Sequence, residues 1–127
     1  MKNKDIEVFE KAYSQLEGLH QEIGLLSKKS PNDGVNKFKL RFVNLVLSQA
    51  NSILTEQYEP FSDFKSFDEI EIPTNSDVAL IISQYLNCME KLRADNIASD
   101  GYNWHWLING RESSIETAPP KRIQEKK

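Results

Sequence analysis

The sequence predicts a mainly α protein: a small bundle of three long helices with a C-terminal β-hairpin or extended aromatic arm. Three observations carry this expectation. Apolar residues recur at helical spacing over three long stretches. Proline, serine, threonine and asparagine cluster between those stretches, at positions suited to helix starts. Beyond residue 99 the pattern switches to alternation, followed by Asn109-Gly110, a strong signal for a two-residue hairpin turn.

The first helix is expected from Lys4 to about Ser27. Phe9, Ala12, Leu16, Leu19, Ile23 and Leu26 fall at alternating intervals of three and four, a narrow heptad-like seam. Ser30-Pro31-Asn32-Asp33 then reads as the start of a second helix, with Ser30 as cap and proline tolerated in the first turn. This helix is expected to reach about Tyr58. Phe38, Phe42, Leu45, Val46, Ala50, Ile53 and Leu54 form one apolar face, which Leu40, Val43 and Leu47 widen past half the circumference. So broad a face belongs to a helix central in its domain or to one half of an oligomer interface.

Residues 59–73 break the helical period and read as a connecting loop. Phe61, Phe64 and Phe67 are expected to plug one end of the core. Thr74 or Ser76 caps the third helix, which runs to about Asn96 on a seam of Val78, Ile82, Tyr85, Met89 and Leu92. With short connections the three helices are expected to run antiparallel. In the last segment Tyr102, Trp104, Trp106 and Ile108 alternate with Asn103, His105 and Leu107, and residues 111–117 return as a second strand. A lone hairpin is marginal in water, so it must lie on the helices or pair with another chain.

The 127 residues suit one domain, expected over residues 1–118, with 119–127 as a flexible basic tail. The 39% apolar and 28% charged content fits a globular chain. No apolar run approaches the ~20 residues of a membrane span, and the N-terminus lacks the apolar core of a signal peptide. With a single cysteine, Cys88, no intramolecular disulfide can form, so the cytoplasm is the expected compartment. The net charge of -3 argues against general nucleic-acid binding. Charge is unevenly spread: residues 56–77 hold seven acids and one base. Asp63, Asp68, Glu69 and Glu71 in that run are candidates for contacting a basic protein partner, or simply form a solvated face.

No phosphate-cradling glycine loop, HExxH, paired CxxC or nucleophile elbow is present, and neither a cofactor nor a catalytic residue is expected. Two histidines and one cysteine show no zinc-ligand spacing, and a zinc site would need carboxylates and a fortunate fold, so no metal site is expected. The candidate ligand-binding residues are Tyr102, Trp104, His105, Trp106 and Arg111. The aromatic rings can stack a flat or cationic ligand while Arg111 supplies charge, or they can be core. In a strand His105 faces away from the tryptophans, as an acid–base or ligand group or as a surface histidine. The expected function is a non-enzymatic protein-interaction module, an adaptor or an acidic inhibitor of a basic partner, self-associating as a homodimer. The alternative is a small-molecule binding protein with an aromatic-walled pocket between the helices and the C-terminal segment. A third reading, an enzyme using His105 with a loop carboxylate, ranks behind both.

Overall fold

The structure, a computed structural model, describes residues 1–121. Three helices, α1 (Asn3–Lys29), α2 (Lys37–Ile53) and α3 (Asn75–Asp95), precede three strands, β1 (Ile97–Ser99), β2 (Trp104–Ile108) and β3 (Arg111–Thr117). The strands form one antiparallel sheet in the order β1-β2-β3. The C-terminal hairpin is therefore present, and β1 adds a third strand to it. Among the described residues no helix is long and apolar enough to cross a membrane.

The helix seams are where the spacing placed them. Phe9, Leu16 and Ile23 of α1 and Val78, Ile82, Tyr85 and Met89 of α3 are fully buried. Each such side chain contributes roughly 1.5–3 kcal/mol of hydrophobic stabilisation. Thr74 caps α3, its hydroxyl oxygen accepting from the Asp77 N–H at 3.1 Å.

α2 starts later and stops earlier than expected, at Lys37 and Ile53. Ser30 closes α1 instead of opening α2: its N–H donates to the Leu26 carbonyl. The backbone that follows is committed elsewhere. Val35 N–H donates to the Pro73 carbonyl at 2.9 Å, and Asn75 N–H donates to the Asp33 carbonyl at 2.8 Å. This bridge, centred on Gly34 and Thr74, removes residues 33–35 from the helix. A Cβ on Gly34 would come within 3.2 Å of Ile72 Cγ2, which explains a glycine at this crossing. Asn36 then caps α2, accepting from the Lys39 N–H.

The same bridge sets the helix directions. It places the starts of α2 and α3 side by side, so these two helices run parallel, whereas consecutive antiparallel packing was expected. α1 runs opposite to both: Glu22 pairs with Lys39 near the start of α2, while Tyr13 meets Glu90 and Glu10 meets Arg93 towards the end of α3. α1, not α2, is the helix that packs along both others. The physical reason is the long segment between α2 and α3, which travels back along α2. Asn51 Nδ2 donates to the Lys65 carbonyl, and Asn44 both donates to the Phe67 carbonyl and accepts from the Phe67 N–H, each at 2.9 Å. Phe64 and Phe67 stack edge to face and pack on the core, as a plug should; Phe61 stays exposed.

The sheet covers one end of the helices. Trp106 is fully buried and meets the Phe9 ring edge to face at 4.9 Å. Asn109 and Gly110 both adopt positive φ, 54° and 77°, as the hairpin signal requires. Beyond β3 the chain stays on the domain as far as it is described: Pro120 is buried and Lys121 Nζ donates to Tyr13 Oη at 3.3 Å. Residues 122–127 of the expected basic tail lie outside the described residues.

Candidate functional site

The broad apolar face of α2 divides into two. Leu40, Val43, Leu47, Ala50 and Leu54 turn inward, with Val46 beside them. Phe38, Phe42 and Leu45 remain 64%, 41% and 56% exposed. The Phe38 and Phe42 rings meet edge to face at 4.9 Å, and the Arg41 guanidinium lies over both at 5.9 and 5.6 Å. These residues border a groove between α2 and α1, made of two hollows of about 550 and 620 Å³ that share Phe42. Val8, Ala12 and Leu19 of α1 supply apolar wall, and Glu7, Lys11, Glu22 and Lys39 supply charged margins. The inward and outward sets interleave in sequence, so the pattern showed a wide apolar face without showing which part stays in water.

The candidate acids Asp63, Asp68, Glu69 and Glu71 are all exposed on the return segment. Two are used locally. Glu69 accepts from Asn44 Nδ2 at 3.1 Å, and Asp68 accepts from the Ile70 N–H at 2.8 Å. Ile70, 89% exposed, projects among them.

The five candidate residues of the C-terminal segment do not meet on one surface. Trp106 is core. Trp104 is half-buried on the same face of β2 and packs against the core. Tyr102 lies before the strand and is 93% exposed, and Arg111 is exposed at the start of β3. His105 does face away from the tryptophans, yet its side chain is only 12% exposed, less than a surface histidine would be. Its Nε2 lies 2.9 Å from Asp100 Oδ2 and 3.9 Å from Glu112 Oε2. The donor atoms of Asp100, His105 and Glu112 all lie within 4.8 Å of one another, close enough for the three to hold a metal ion. The N–H groups of Asn103 and Tyr102 both donate to Asp100 Oδ1, and with His105 they hold its carboxyl down at about 2.

Between α1 and α3 lies a polar cluster that the hydrophobic pattern did not reveal. Glu90 and Arg93 are 4% and 2% exposed and paired at 2.9 Å. Tyr13 Oη donates to the same Glu90 carboxylate. Arg93 is sandwiched over the Phe9 and Tyr13 rings at 5.1 and 4.6 Å. Burial, then the bond to Glu90, pushes the Tyr13 hydroxyl well above its ordinary range. Such a buried pair fixes how two helices meet more than it adds stability. On the sequence, Glu90 and Arg93 flank the α3 seam three residues apart and look like any surface ion pair.

No protein-family model, curated protein or solved structure matches this chain.

Proposed function

We propose that the protein is a non-enzymatic interaction module that pairs with a second copy of itself through the groove between α1 and α2. The observation that carries this reading is the joint exposure of Phe38, Phe42 and Leu45 beside that groove. Three large apolar side chains on one helix face, next to a hollow, suit the helix-in-groove mode of recognition. An antiparallel copy would bring Phe42 of each chain into the other's groove and cover both sets together, as a two-fold interface requires. The exposed acids of the return segment stand on another side of α2, where Asn44 and Asn51 anchor them. There they remain exposed to a basic protein partner, which gives the module an adaptor or inhibitor role. The aromatic-pocket alternative has no comparable support, because Trp106 is spent on the core.

Light scattering on the eluting protein tests the reading. The wild-type chain is expected at twice its 14.6 kDa mass, and Phe42→Asp at the single mass with unchanged helical circular dichroism. A wild-type protein that stays at the single mass through the micromolar range removes self-pairing. A Phe42→Asp variant that remains dimeric removes this groove.

A further inference from the structure

On the outer face of the sheet, away from the α1–α2 groove, three side chains from three segments converge. Asp100 comes from the turn between β1 and β2, His105 from β2 and Glu112 from β3. We infer that Asp100, His105 and Glu112 form a binding site for a Zn²⁺-class divalent ion, with His105 Nε2 and one oxygen from each carboxylate as ligands.

The geometry is close to what such an ion requires. Zinc bonds of about 2.0–2.2 Å to nitrogen and oxygen place tetrahedral ligand atoms roughly 3.3–3.5 Å apart. The distances from His105 Nε2, 2.9 Å to Asp100 Oδ2 and 3.9 Å to Glu112 Oε2, straddle that range. All three ligand atoms lie within 4.8 Å of one another.

The scaffold also prepares each ligand. Asp100 Oδ1 accepts from the Tyr102 and Asn103 N–H groups at 2.8 Å each, so the carboxylate is oriented and Oδ2 is left to bind. His105 is held in the central strand of the sheet, with only 12% of its side chain exposed, and its Nε2 faces the carboxylates. Glu112 reaches this face because the two-residue turn sets it opposite Leu107, which shares the His105 face of β2; the bulge beyond it brings Glu116 opposite His105. His105 pairs with Glu116 and Leu107 with Glu112, so β3 spends four residues where β2 spends two. Ser113 stabilises the bulge, its hydroxyl donating to the Trp106 carbonyl and accepting from the Ile115 N–H.

Charge points the same way. Among the described residues neither carboxylate has a lysine or arginine partner, and Glu116 adds a third acid opposite His105. Two carboxylates held close to one imidazole, with a third acid beside them, concentrate negative charge that a dication neutralises. The donor set, one imidazole nitrogen and two carboxylate oxygens, suits borderline ions such as Zn²⁺ or Co²⁺. It is too poor in oxygen for Ca²⁺ and lacks the thiolates that select Cu(I). Three protein ligands leave a fourth position for water or an incoming group.

The test is titration of Zn²⁺ into the untagged, chelator-treated full chain by calorimetry, with Co²⁺ visible absorption as a second probe. One ion per chain is expected, with a tetrahedral Co²⁺ spectrum. His105→Ala, Asp100→Asn and Glu112→Gln are each expected to weaken binding by about tenfold or more. Asp100→Asn keeps an Oδ1 for the two turn N–H groups, so its loss reports the ligand and not the turn. Glu112→Gln changes an exposed residue and covers the case in which His105→Ala fails to fold. Absence of Zn²⁺ binding to the wild-type chain overturns the site. So does unchanged affinity in any one of the three variants that retains the wild-type circular dichroism.

Discussion

The indole N–H of Trp106 donates to Glu10 Oε2 at 2.9 Å, joining residues 96 positions apart. This bond fastens the sheet to α1, and the other oxygen of Glu10 faces Arg93 Nη2 at 3.7 Å. Glu10→Ala therefore leaves a partly buried indole N–H and one side of a buried guanidinium without a partner. A loss of about 1–3 kcal/mol is expected in urea unfolding. Trp106→Ala removes a fully buried ring and should cost about 3–5 kcal/mol. If Glu10→Ala unfolds at the wild-type urea concentration, the bond does not hold the sheet.

That tie shows why part of the architecture was legible and part was not. The seams on α1 and α3, the Thr74 cap and the Asn109-Gly110 turn follow from local chemistry, and each was readable from a few neighbouring residues. The parallel course of α2 and α3 was not, because it depends on Gly34 meeting Thr74, a pairing between segments that carry no periodic signal. Asn44 and Asn51 sit in α2 like ordinary polar surface residues, although their amides hold the return segment. His105 was singled out by its aromatic neighbours, but its carboxylate partners were not. Asp100 reads as turn punctuation, and Glu112, paired with Leu107, meets His105 only diagonally across the two strands.

The tyrosines set an alkaline limit on the fold. Burial, then a 2.7 Å bond to Asp95, pushes the Tyr58 hydroxyl up to about 12 from its ordinary 10.0. Burial raises Tyr85 and Tyr13 in the same direction. The neutral form is the one the fold prefers. Its stabilising contribution is thus complete below pH 10 and is lost as pH rises from 10 towards 12. Thermal midpoints should fall across that window, and Tyr58→Phe should show a shallower fall. An equal fall in wild type and variant would place the alkaline sensitivity on other groups.

Asn44 acts as a two-sided clip, donating to and accepting from the backbone of Phe67 at 2.9 Å. Asn44→Ala leaves both backbone groups to find water and releases the segment that carries Phe64 and Phe67. A destabilisation of about 1–3 kcal/mol is expected. The more specific readout is proteolysis: cleavage within residues 59–73 should accelerate by more than cleavage elsewhere. Uniform acceleration along the chain would mean that Asn44 supports the whole fold and not this segment.

Salt separates the two surfaces proposed for protein contact. Pairing through Phe38, Phe42 and Leu45 buries apolar area, and screening of charges does not weaken that contribution. The marginal Lys39–Glu22 pair is half in water and contributes little on its own. Contacts made by Asp63, Asp68, Glu69 and Glu71 are charge contacts at an exposed surface, and they fade once the screening length drops below the spacing of the charges. Sedimentation equilibrium between roughly 0.05 and 0.5 M salt, where the screening length falls from above 10 Å to about 4 Å, should therefore leave the self-association constant level or raise it. Binding of a basic polypeptide such as polylysine should decline over the same interval. Self-association that dissolves as salt rises would transfer the pairing surface from the α1–α2 groove to the acidic return segment of one copy meeting lysines of the other.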